Sequence, residues 1–347
     1  MHRFAGSGFR SVLATFMAAL PLLTFAQSPW KVVELKGPPG TFVARAFSVD
    51  RNRNVYGQAQ MSVGGIRPAR WMAANNYQPE FVGTEDGYVR GSNAKGYFTG
   101  MHEMNVAGPQ SRPVLWNPDG TFQYLEGLPE YRRAEGVAIN QTQTIVGSMI
   151  AQDFAWRAFR WRQGEAIMIP LMVDFPYAVG TGIADSGFVV GYGMDNYNPP
   201  TRMTGWFWSP TGGLQRLPPV GGYYRANGIN NTGLVCGFAR LAGYGSAVLW
   251  PIFGAPITLT PPSAFNNGEA MGVNDAGEVV GNVWTGKWNQ RNDQRPVVWA
   301  FGECHDIAQE SSTPGLKLAR GINYRGDVVG EGLFEGRQSA FIALKKL

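Results

Sequence analysis

Two histidines lie beyond the first 26 residues, His102 and His305, and they bound the acid–base and metal chemistry open to this chain. His305 follows Cys304 directly. Neighbours on a strand point to opposite faces, which excludes a Cys–His nucleophilic pair between them. No His-x-x-x-His, Cys-x-x-Cys or Glu-x-x-His spacing occurs, so a zinc site would have to be assembled from unrelated segments. Oxygen ligands of the kind calcium takes stand together at Asp195-Asn196 and Asn292-Asp293, residue types that turns also collect. Glu103, Asp195 and Glu331 are the carboxylates on which a polysaccharide hydrolase or lyase reading rests, because that chemistry needs a pair at a set separation.

The residues best suited to hold a ligand are Trp284, Trp288 and Arg291, close together in one long connection. Aromatic faces beside amide and charged groups suit a sugar or a peptide segment. Asp195 and Tyr197 in a second long connection, and His102 in a third, complete the expected ligand-contact set. The competing expectation is that the two tryptophans only staple a long loop to its own unit.

What positions these residues is a repeat. Gly228-Ile229-Asn230-Asn231-Thr232-Gly233-Leu234-Val235-Cys236-Gly237 returns at residues 272–281 and 321–330, each time just after an alanine. Weaker copies end at Gly57, Gly100, Gly147 and Gly191, so seven closing glycines lie 43 to 49 residues apart. In six copies a tryptophan follows 13 to 18 residues later: Trp71, Trp116, Trp161, Trp208, Trp250 and Trp299. The seventh has Ala340-Phe341-Ile342-Ala343 there. Each copy reads as four short strands: a small-residue strand ending at Asn, a Val-rich strand ending at Gly, a Trp strand and a strand ending in Leu.

Four strands in about 45 residues is the arithmetic of a propeller blade. The expected fold is all-β, a seven-bladed β-propeller over residues 27–347, with the Ala-x-Gly-Ile-Asn strand nearest the axis and the tryptophans between blades. The seventh copy stops after its third strand, whereas Trp30-Lys31-Val32-Val33-Glu34-Leu35 is a strand without a repeat. The N-terminal strand is therefore expected to complete the last blade and leave no open sheet edge. An open solenoid, the alternative, would need capping units.

Arg3 and Arg10, an apolar run and Thr24-Phe25-Ala26 predict a signal peptide over residues 1–26, hence a protein of the periplasm or the exterior. An uncleaved anchor is the alternative, and no later stretch is long and apolar enough to span a membrane. Without that leader the count is 28 basic against 25 acidic residues, scattered through every repeat, which argues against a nucleic-acid partner. Cys236 and Cys304 form an even pair for an oxidising compartment, yet Cys236 stands at a Val position and Cys304 in the outer segment of the next repeat, which favours a small core hydrophobe at Cys236 over a disulfide.

The pattern Ala-x-Gly-Ile-Asn-x-x-Gly-x-Val-Val-Gly followed by Ala-Phe-x-Trp resembles the bacterial extracellular HAF repeat family. The chain departs from that pattern at Ala184, at Gln143 and Arg53 in the turn, and at the motif's His, near which stand Arg157, Ser339 and Gly245. The resemblance implies secretion and a β-repeat architecture and brings no reaction or cofactor with it. On these residues a monomeric binding scaffold for a polysaccharide or another envelope protein is favoured over an enzyme.

Overall fold

The computed structural model describes residues 28–104, 108–196, 200–252 and 254–346; the signal peptide expected over 1–26 lies outside them. Seven sheets of four antiparallel strands follow one another along the chain. Their inner strands are Thr41–Val49, Gly87–Ser92, Tyr131–Ile139, Tyr177–Ile183, Tyr224–Ile229, Asn267–Val273 and Leu316–Ile322. Each touches the inner strand of the next blade, and the last touches the first. The seventh sheet takes Trp30–Leu35 as its outer strand, in register from Trp30 opposite Lys345 to Leu35 opposite Ala340. This is the closed seven-bladed β-propeller that the repeat predicts. Among the described residues no helix is long and apolar enough to cross a membrane.

The core is divided among the blade interfaces. Seven apolar clusters are each shared by two consecutive blades, and the regular tryptophans lie in them, at most 6% exposed. A wedge that widens from the axis needs bulk on its outer side, and an indole fills it while its N–H still needs an acceptor. Trp71, Trp161, Trp250 and Trp299 donate to the carbonyls of Lys36, Glu126, Pro218 and Thr260, each just beyond the outer strand of the preceding blade. The seventh blade carries Ala343 opposite Val328, where the others place a tryptophan. Trp30 of the closing strand joins both residues in the cluster between blades six and seven. The N-terminus therefore supplies the aromatic side chain that the last repeat lacks.

Small residues mark places where backbones meet. All seven inner strands carry a register shift at the same point, from Ala46/Ser48 in the first blade to Ala319/Gly321 in the seventh. The resulting bulge drives an inner-strand carbonyl against the closing glycine of the second strand. A Cβ at Gly57, Gly100, Gly237, Gly281 or Gly330 would overlap the oxygen of Arg45, Tyr88, Arg225, Glu269 or Leu318. At the axis, a Cβ on Gly321 would stand 2.8 Å from the carbonyl oxygen of Phe47 in the neighbouring blade.

The turn asparagines tie the ring together. The Oδ1 of Asn230 accepts from the amides of Thr232 and Leu234, while its Nδ2 donates to the carbonyl of Asn274 in the next blade. Asn93, Asn140, Asn274 and Asn323 donate in the same way, the last to Asp50, which closes the circle. Asp50 and Ala184 lack the amide, and those two junctions are bridged instead by Ser48 with Ser92 and by Asp185 with Asn231.

The turn position three residues after the asparagine is left-handed in every blade, at φ 67° for Arg53 and 60° for Gln143 where the others have glycine. A side chain there is strained by about 1–2 kcal/mol. Gln143→Gly is accordingly expected to stabilise the protein by about 1 kcal/mol in a denaturant titration. Arg53→Gly should bring no such gain, because Arg53 bonds Asp327 through Nε at 2.9 Å and Nη2 at 3.2 Å.

Candidate functional site

Antiparallel blades put the tight turns on one end of the ring and the longer connections between second and third strands on the other. Each end opens into a recess on the axis. The turn end holds one of about 590 Å³, lined by all seven blades and built largely from the asparagine circle. The loop end holds one of about 810 Å³ between blades one, two, six and seven. Arg45, Arg90, Arg291, Lys317 and Arg320 line it, with Asp293 and Glu331 as the acidic residues and Gln58, Gln294 and Gln338 as the amides.

The bulge positions these groups. Phe47, Arg90 and Arg320 occupy the extra residue of three consecutive inner strands, where side chains leave the regular alternation and turn toward the axis. The guanidinium carbons of Arg90 and Arg320 lie 5.4 and 4.8 Å from the centroid of the Phe47 ring. Glu331, 3% exposed, accepts from Arg45 Nε at 2.9 Å and from Arg320 and Gln338. Glu135 of the third blade accepts from Arg90 Nε at 3.1 Å and from the hydroxyl of Tyr88 at 2.8 Å.

Glu269 forms the deepest ion pair of this layer. It is 2% exposed and meets Arg291 Nη2 at 2.6 Å, Arg225 Nη2 and the amide of Asn227. Burial alone would raise its carboxyl, but the two guanidiniums outweigh burial and hold it down at about 2.

The residues singled out from the sequence fall in different places. Arg291 lines the recess, bonded to Glu269 and with its guanidinium 4.7 Å from the Trp284 centroid. Trp284 is wholly buried, near-parallel to Phe238 at 6.5 Å and donating to the carbonyl of Lys287. It is therefore the loop staple and presents no open platform, a correction that follows from the adjoining blade covering its face. Trp288 is half-buried against Tyr223 at 5.8 Å and Arg240 at 5.0 Å, away from the recess lining. Asp195 organises its own loop. Burial would raise its carboxyl, whereas hydrogen bonds from Thr201 and Arg202 bring it down to about 2. Tyr197 lies outside the described residues.

His102 is also corrected, being 1% exposed on the second strand of blade two. Its ring stands edge-on to Trp116 at 5.1 Å, Phe122 at 4.7 Å and Tyr124 at 5.9 Å, and among the described residues neither ring nitrogen has a partner. Burial pushes its pKa down from 6.5 to about 4, against a smaller opposing pull from Glu85. The unfolded chain therefore binds the proton first, and stability is lost as pH falls from about 6.5 toward 4. The expected cost is roughly 3 kcal/mol at pH 4. His102→Phe should remove that part of the acid slope, read as the difference between denaturant titrations of the two proteins.

The three carboxylates of the hydrolase or lyase reading stand on blades two, four and seven with separate partners. Glu103 faces Arg133 at 3.8 Å, Asp195 serves its loop, and Glu331 holds Arg45 and Arg320. His305 Nδ1 pairs with Glu310 at 2.9 Å at the outer edge of blade six. Among the described residues no group of three or more His, Cys, Asp or Glu is arranged to hold a metal ion. Both thiols are free; burial raises each to about 12, and Cys236 lies wholly in the core between blades five and six.

Arg45, Arg90, Lys317 and Arg320 were not singled out from the sequence. The available signal, for Arg90 and Arg320 alone, was the variable residue of Ala-x-Gly, which is Arg in repeats two and seven while the other repeats place Phe, Val, Thr, Asn or Met there.

Neither a family model nor a curated protein matches this sequence. Solved structures do match. The β-propeller domain of the trilobed protease from Pyrococcus furiosus aligns at TM-score 0.63 and 10% identity, over 88% of this chain and 95% of that one. That domain has an open velcro topology, whereas here the first strand pairs into the last blade. A puromycin-hydrolyzing peptidase from Mycobacterium tuberculosis aligns at 0.60 and 12% identity, over 90% of this chain and 54% of that one, so the chain spans about half of the peptidase. Virginiamycin B lyase from Staphylococcus aureus aligns at 0.56 and 12% identity, over 91% and 99%. At such identities the likeness is one of fold, and the chain is a seven-bladed β-propeller closed by its own N-terminal strand.

Proposed function

We propose that this protein is a secreted scaffold that binds a polysaccharide or another envelope component in the recess at the loop end of its axis, without transforming it. The supporting observation is convergence. Four blades direct guanidinium, ammonium and amide groups into one open recess of about 810 Å³. Its buried carboxylate, Glu331, is already bonded to three donors and is not available as a free acid or base. Fixed polar groups in a concave site give orientation and specificity at low ordering cost. The leader over 1–26 and the HAF-like repeats support the extracellular setting.

Screening the purified protein on a glycan array alongside depolymerisation assays tests this reading. Retention without turnover is expected. Turnover of a retained glycan would replace the scaffold with an enzyme.

A further inference from the structure

We infer that the ligand of the loop-end recess is a carboxylate-bearing polysaccharide, a segment of uronic-acid chain. This rests on the recess being the binding site and adds the chemistry of what it takes.

The first argument is the unused hydrogen-bonding capacity. Arg45 gives only Nε to the buried Glu331 and Arg90 only Nε to the half-buried Glu135, so among the described residues their terminal Nη groups bond no carboxylate, and both side chains remain about a third exposed. Arg320 spends Nε and Nη2 on Glu331. Lys317 is exposed and forms no ion pair among the described residues. The Nε2 of Gln294 is buried without a partner among the described residues. The lining thus holds five cationic side chains against two acidic ones, and with Glu135 and Glu269, which pair Arg90 and Arg291 from behind it, one cation and several terminal donors remain in excess.

The second argument is geometric. An arginine anchored through Nε keeps its Nη pair free for an in-plane contact with a carboxylate, and the glutamate below fixes its direction. Contact with the Phe47 ring restrains the Arg90 fork further, and the same ring packs against the guanidinium of Arg320. The forks come from consecutive blades, and a volume of about 810 Å³ takes several linked units in place of one small anion. Three glutamines lie among the cations, and amides both donate to and accept from hydroxyls. Alternating carboxylates and hydroxyls are what a uronic-acid chain offers. Nucleic acid would need open aromatic faces for its bases, and the rings here, Phe47 and Tyr88, are already engaged by arginines.

Calorimetric titration of the protein with hexagalacturonate, its methyl ester and poly-L-glutamate tests the inference. Hexagalacturonate is expected to bind, weakening about tenfold between low and high salt. The methyl ester should not bind measurably. Lys317→Gln, which breaks no contact of the fold, should weaken hexagalacturonate about threefold, and Arg90→Gln about tenfold. Absence of hexagalacturonate binding, or equal binding of the ester, overturns the carboxylate inference and leaves the recess reading standing. Poly-L-glutamate binding as tightly as hexagalacturonate would make the ligand an acidic peptide. Hexagalacturonate binding that neither substitution weakens would place it elsewhere and remove the recess reading itself.

Discussion

Deleting residues 30–35 is expected to cost roughly 6 kcal/mol and to lower the unfolding midpoint by about 10 °C. The strand buries Trp30 at 5% exposure and Leu35 completely, and the adjoining backbone at Lys36 accepts the indole N–H of Trp71. Two large apolar side chains account for about 2–3 kcal/mol each, and a lost hydrogen-bond partner for about 1 more. The deletion also uncovers the edge of the third strand of blade seven, Arg337–Lys345, as a row of unpaired backbone groups. Self-association visible in light scattering should therefore accompany the drop. Calorimetry showing an unchanged midpoint and a monodisperse protein would mean that the strand does not hold the ring closed.

The second large effect is expected at Glu269. Replacing it by Gln leaves Arg225 and Arg291 without their carboxylate in a site that is 2% exposed on the glutamate side. Breaking a buried pair from one side costs about 3–5 kcal/mol, and the partly exposed guanidiniums place this case near 3. The pH dependence separates it from His102. A carboxyl held at about 2 against an ordinary 4.5 contributes stability that is complete above about 4.5 and is lost as pH falls toward 2. The histidine acts at higher pH, between about 6.5 and 4. Glu269→Gln should flatten the lower limb of the acid-unfolding curve and His102→Phe the upper one. A Gln variant as stable as the parent at pH 7 would contradict the role given to this ion pair.

The ring was legible in the sequence because its constraints are backbone constraints that recur. A closing glycine is required wherever the bulged carbonyl presses on the second strand, and an asparagine serves wherever the turn must be capped and the next blade reached. Such demands are identical in each repeat, so periodicity exposes them. Even the exceptions were informative, since Arg53 and Gln143 adopt the left-handed backbone that glycine holds elsewhere.

The site was less legible because it depends on differences between repeats. Nothing in the local pattern of Gly100-Met101-His102 says that Phe122 and Tyr124, two strands away, close over the imidazole. Trp284 sits in a polar, glycine-containing stretch that suggests exposure, yet Phe238 of the preceding blade covers it. Arg291 was reached through its loop, whereas Arg45, Arg90 and Arg320 lay inside the hub strand, where small residues dominate, and the bulge that turns Arg90 and Arg320 inward shows only at the variable residue of the motif.

Hydrogen–deuterium exchange with and without the glycan retained on the array tests the recess most directly. Backbone amides over 45–47, 88–90, 291–294 and 317–320 should slow on binding, while the turns at 50–53, 93–96 and 140–143 on the opposite end keep their rates. Slowing concentrated in those turns, with the arginine strands unaffected, would contradict the account.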